Sequence, residues 1–168
     1  MQTQKLQRSV VSLMVIGLVA VGGTMWWSGP ADAKGQCHSI NTTQTTVADF
    51  ANFTTAGEIK SGFLKGTTKF TGDASALTQI TGTNSPPVEP QTFSYTGDLK
   101  ITTAKGTLTT RSVGAFESAS FGRGAQFDRV IAGTGLYADA EGFLYFNFVA
   151  DDTGGAFTST VSGEICVQ

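Results

Sequence analysis

No window of 11 or more residues in this chain shows a convincing 3.6-residue apolar repeat, and that excludes a helical body. Short runs rich in Thr, Phe and Gly alternate instead with turn signals, the pattern of strands joined by tight connections. Tyr95 to Thr103 and Gly106 to Val113 form the clearest hairpin. There Leu99 and Ile101 alternate with Asp98, Lys100 and Thr102, and Ala104-Lys105-Gly106 turns the chain. Glu58 to Phe70 reads as one or two strands kinked at Gly62 or Gly66, and Leu77 to Thr81 as a short one. Asn84 to Pro90 is a rigid loop, because its prolines cannot donate to a ladder. Ala115 to Phe121, Phe127 to Ala132, Phe143 to Val149 and Phe157 to Cys166 complete the series, and Asp151 to Gly155 links the last two. Thr43 to Phe53 is a strand or an irregular arm. About eight strands at regular spacing imply an antiparallel sandwich or a closed barrel, and a barrel leaves no free edge.

The first residues follow a different rule. Lys5 and Arg8 precede an uncharged run of 18 residues from Val10 to Trp27, then Gly29-Pro30 and Ala31-Asp32-Ala33. A positive start, an apolar stretch and an A-x-A site are the order of a secretory signal peptide, cleaved after Ala33. The expected division is therefore a signal over residues 1–33 and a β domain over 34–168, secreted or periplasmic, with no stable membrane anchor after cleavage. Both Trp and all three Met precede that site. Cys37 and Cys166 lie near the two ends of the exported part, and an even pair in an oxidising compartment is read as a disulfide. No C-x-x-C is present to support a redox pair.

Composition excludes other classes. With 11 Lys+Arg against 13 Asp+Glu the chain offers no basic surface for nucleic acid. One His and two Cys cannot build a zinc finger or a His-rich metal centre, so neither metal nor cofactor is expected. His38 reads as a solvated or packing residue, and Asp151-Asp152 as a solvated turn.

Residues 130–149 hold a compact corner. A strand ends at Ala132, Gly133-Thr134-Gly135 turns tightly, and Gly142 opens the next strand, with Tyr137 and Ala140 tucked inward to plug the end of the sheet. The G-x-G-x-x-A spelling also matches a dinucleotide fingerprint, but a strand follows too soon for the required helix. Gly133, Thr134, Gly135, Tyr137, Ala140 and Gly142 resemble the strand-turn-strand element of the dirigent and allene oxide cyclase superfamily. That resemblance implies an eight-stranded antiparallel β-barrel, often a homotrimer, with an apolar lumen open at one end. It also implies an activity class, the steering of reactive intermediates through cyclisation or coupling.

Strand parity supplies the candidate lumen residues. Arg129 lies between Phe127 and Ile131 on one face of its strand. Glu117 is the one charge on the Ala115–Phe121 face, and Tyr145 and Asn147 share a face with Phe143 and Val149. If those faces point inward, Arg129, Glu117, Tyr145 and Asn147 converge in an apolar pocket, with Tyr95 as a further candidate. If they point outward, Leu144, Phe146 and Phe148 fill the core. Two functions fit: a barrel that binds a small apolar or aromatic molecule or acts as a structural module, and a cyclase or isomerase that steers a reactive intermediate.

Overall fold

The computed structural model of the chain describes residues 35–80, 91–117, 122–151 and 155–168. The signal over 1–33, the proline loop at 84–90 and the stretch 118–121 lie outside the described residues.

The strands are β1 (Gln36–Asp49), β2 (Thr54–Ile59), β3 (Gly66–Gly72), β4 (Thr78–Ile80), β5 (Thr92–Thr103), β6 (Gly106–Glu117), β7 (Arg123–Gly133), β8 (Glu141–Ala150) and β9 (Ala156–Val167). Every neighbouring pair is antiparallel, and the order β3-β2-β1-β9-β8-β7-β6-β5 closes because β3 also pairs with β5. The result is an eight-stranded up-and-down barrel, with the three-residue β4 added to the outer end of β5. The barrel is the architecture that the corner resemblance implied.

Two boundaries differ from the sequence expectation. Ala115 does not start a strand, because β6 runs unbroken from Gly106 to Glu117 in register with all of β5. Thr43–Phe53 is no irregular arm. Its first seven residues belong to the 14-residue β1, which pairs with β9 from Gln36↔Val167 to Val47↔Ala156.

The two ends of the barrel have different fillings. At one end the β2–β3, β5–β6 and β7–β8 turns meet around Leu64, Tyr137, Ile101, Leu108, Leu144 and Ile165, all essentially inaccessible to solvent. Each buried aliphatic side chain there contributes about 1.5–3 kcal/mol of transfer free energy. Cys37 and Cys166 face each other across the β1–β9 seam at this end and form a disulfide with Cα atoms 3.9 Å apart. The opposite half is lined by Thr, Ser, Gln and aromatic side chains. There the alternation departs from apolar-in and polar-out: Ser112 and Asp128 point inward while Val113, Ile131 and Tyr145 are exposed on the outer wall.

Candidate functional site

The corner at residues 133–142 closes one end of the lumen. β7 stops at Gly133, whose missing side chain leaves room for the Tyr137 carbonyl, and Gly135 turns the chain with φ +60 into a short 3-10 turn, Gly135–Tyr137. Thr134 Oγ1 accepts from the Thr107 backbone N–H at 3.1 Å, joining the corner to β6. Tyr137 drops into the barrel, donates its hydroxyl to the Phe63 carbonyl at 3.1 Å and accepts from Thr103 Oγ1 at 3.4 Å. Ala140 packs against the same core, and Gly142, at φ +141, passes close to the Glu164 carbonyl. His38 stacks on Phe63 at 3.8 Å, so the one imidazole is a packing group. Glu164 lies beside Cys37 and Cys166, but both sulfurs are committed to the disulfide and offer no thiolate.

Among the described residues the other end is open, and it holds a cavity of about 100 Å³. Phe50, Phe53, Phe70, Tyr95, Phe116, Phe146, Phe148 and Phe157 line it, together with Gln44, Thr46, Gln126, Ser159 and Asp49. Glycines on the adjoining strands make space for the rings. A Cβ on Gly97 would strike Phe70, one on Gly114 would strike Tyr95, and one on Gly124 would strike Phe148. The rings meet edge to face, Phe53 with Tyr95 at 6.2 Å and Phe70 with Tyr95 at 5.6 Å, the favoured geometry for aromatic pairs.

A polar chain runs from this aromatic wall into the barrel. Tyr95 donates its hydroxyl to Gln126 Oε1 at 2.8 Å, and Gln126 Nε2 donates to Asp128 Oδ1 at 2.8 Å and to Ser112 Oγ at 3.2 Å. Thr110 Oγ1 donates to Asp128 Oδ2 at 2.6 Å. Asp128 is fully buried, and burial pushes its carboxyl up to about 6, against hydrogen bonds from Thr110, Ser112 and Gln126 that favour the charged form. Burial, reinforced by the Asp128 charge, raises the Tyr95 phenol above its ordinary value. A second polar contact, Gln44 Nε2 donating to Thr68 Oγ1 at 2.8 Å, sits on the facing wall.

The structure separates the residues grouped by parity. Arg129, Glu117, Tyr145 and Asn147 are all exposed and lie on the outer wall, whereas Tyr95 is buried and lines the cavity. The assignment of Arg129, Glu117, Tyr145 and Asn147 to the lumen is therefore corrected. The physical reason is the register: Val113↔Phe127↔Tyr145 form one outward row, so Ser112, Asp128 and Leu144 form the inward one. Phe127 and Tyr145 pack against each other outside, ring centroids 5.0 Å apart and tilted by 47°, which covers part of their apolar surface without a core. Asp128 and Gln126 were missed because apolar neighbours on the same strand suggested the opposite parity. Carrying the register outward from the β5–β6 hairpin, where Ile101 faces Leu108 and Leu99 faces Thr110, assigns Ser112 and then Asp128 to the inside.

Comparison of the sequence with family models and with curated proteins finds no match. Among solved structures, the chain is similar to a pterocarpan synthase dirigent protein, at 12% identity and a TM-score of 0.33, over 86% of this chain and 99% of that one.

Proposed function

We propose that the barrel is an exported binding protein that holds a small apolar or aromatic molecule in the open half of its lumen. The observation that carries this reading is the cavity itself: eight aromatic side chains surround about 100 Å³, and one polar chain, Tyr95–Gln126, stands ready to orient a hydrogen-bonding substituent. That volume suits a single ring. Export is supported by the signal-like order of residues 1–33 and by the Cys37–Cys166 disulfide, a bond that persists in oxidising compartments. A homotrimer belongs to the same reading, with the outward row Val113, Phe127 and Tyr145 as its apolar face.

The test is native mass spectrometry of protein purified from its own host. The expected result is a bound small molecule that dissociates on collisional activation, with oligomeric mass read from the same spectrum. Ligand-free protein that also fails to bind single-ring compounds added in solution overturns the reading.

Buried Asp128 favours a second reading, a cyclase or isomerase that steers a reactive intermediate. A carboxyl poised near 6 and joined through Gln126 to the cavity wall can exchange a proton near neutral pH. On this reading Asp128→Asn abolishes turnover while ligand binding persists.

A further inference from the structure

The charges around the lumen are one-sided. Lys69, Lys100, Arg111, Arg123 and Arg129 are exposed on the outward parity of their strands. Lys60, Lys65 and Lys105 are exposed in or beside the turns at the closed end, and His38 is stacked there on Phe63. None of them lines the cavity. Two of the acids, in contrast, stand at the lumen. Asp49 lines the mouth, and its hydrogen bonds from the Asn52 side chain and backbone hold its carboxyl below the ordinary range, so it stays negative. Asp128 sits directly behind Gln126 with donors from Thr110, Ser112 and Gln126, and no basic side chain among the described residues forms an ion pair with it.

An aromatic-walled cavity backed by a buried carboxyl lacking a cation is an asymmetric electrostatic environment. Ring faces carry negative quadrupole density that attracts an ammonium and repels a carboxylate. A buried carboxylate acts on a charge in the cavity with far less screening than in water. Both contributions have the same sign. We propose that the lumen takes its ring compound as a cation, a protonated amine, and turns away a carboxylate of the same skeleton. This rests on the lumen-binding reading above and specifies the ligand's chemistry.

The ammonium sits against the Tyr95 ring and the Gln126 carbonyl oxygen, which line the cavity on the side that Asp128 backs. Asp128 acts through Gln126 and does not touch the ligand. The side chains that face Asp128 are Thr110 and Ser112 of β6, Gln126 of its own strand and Leu144 of β8, and the titratable group coupled to it is Tyr95 of β5. Tyr95 stays protonated at every pH of interest, so the charge behind the cavity changes with Asp128 alone.

The experiment is an NMR titration of the full exported chain with benzylamine, benzyl alcohol and benzoate, following the backbone amides of Tyr95, Gly114 and Gln126. At pH 7.5 benzylamine is expected to bind at least about tenfold tighter than benzoate, with benzyl alcohol between them. At pH 5, where benzylamine remains protonated and Asp128 is largely neutral, the amine's lead over the alcohol shrinks. Asp128→Asn shrinks it at pH 7.5 as well, with unchanged shifts at the closed end as the control for folding. The pH series on the unaltered protein stands as the test if that variant does not fold. Benzoate binding as tightly as benzylamine, or an amine lead that ignores both pH and Asp128→Asn, overturns the charge selectivity and leaves lumen binding in place. No binding of any of the three overturns both.

Discussion

Tyr95 of β5 reaches over Gly114 of β6 to donate its hydroxyl to Gln126 of β7, so one hydrogen bond ties three consecutive strands at the open end. A Cβ at Gly114 would lie 2.5 Å from the Tyr95 hydroxyl oxygen and 2.8 Å from the Ala125 carbonyl. Gly114→Ala is therefore expected to displace the ring and destabilise the fold by about 1–3 kcal/mol. Tyr95→Phe keeps the ring and loses only the donor, at about 1 kcal/mol. Urea midpoints for the two variants check the order, with Gly114→Ala the more damaging.

The buried carboxyl sets an unusual pH profile. Asp128 is raised from 3.8 to about 6, so the folded protein keeps its proton where the unfolded chain releases it. Its contribution to stability is greatest below pH 4, falls as pH rises from about 4 to about 6, and is constant above that, a decline of about 3 kcal/mol. Asp49, Glu58 and Asp73 are shifted the other way by hydrogen bonds, from Asn52, Lys60 and Ser75 first of all, and lose their contributions only in stronger acid. Urea unfolding from pH 3.5 to 7.5 is expected to show the decline, and Asp128→Asn to flatten it. A profile for Asp128→Asn as steep as that of the unaltered chain contradicts the assignment.

The disulfide closes a separation of 129 residues. In the chain-entropy account such closure contributes about 5 kcal/mol, with 2–4 kcal/mol the typical measured range. Replacing both Cys37 and Cys166 by Ala is expected to lower the urea midpoint by a corresponding amount while leaving the far-ultraviolet spectrum that of a β protein, because the β1–β9 ladder remains.

The plug is held by packing more than by its hydroxyl. Tyr137→Ala empties a fully buried site and is expected to cost about 3–5 kcal/mol, and Tyr137→Phe about 1 kcal/mol. Gly133→Ala sets a Cβ 1.8 Å from the Tyr137 carbonyl, and is expected to damage folding as severely as Tyr137→Ala. Glu117→Gln and Arg129→Ala, on the outer wall, are expected to shift stability and lumen binding little.

On the export proposed above, cleavage after Ala33 would remove every Trp and Met. The exported protein is expected to show an intact mass beginning at Lys34 and only tyrosine fluorescence, and a tryptophan emission band would refute that site.

The fold was legible where local chemistry and topology agree. The β5–β6 hairpin, with its Leu99/Ile101 alternation and Gly106 turn, and the 133–142 corner could be read residue by residue. The site was less legible because this barrel places polar side chains inside its open half and aromatic ones on its outer wall. On β7 the sequence Gln126-Phe127-Asp128-Arg129-Val130-Ile131 permits either parity, and hydrophobicity favours the wrong one. A register shift at Thr109/Thr110 then leaves Ile131 unpaired, so the apolar residues of β7 do not share one face throughout. Only the hydrogen-bonded register from the neighbouring strands decides which of Phe127 and Asp128 faces the lumen. The long closing ladder was hidden for another reason: Thr-rich β1 looks unremarkable until β9 is set beside it.

That closing ladder has a kinetic consequence. β1 finds one of its two neighbours only when β9 exists, so a chain emerging from a ribosome cannot complete the barrel until β9 has been delivered. Up to that moment β1 and β8 each present an unpaired edge. Contacts of such separation form slowly. The Cys37–Cys166 bond forms only after β9 has emerged, so the covalent lock follows every other strand of the barrel.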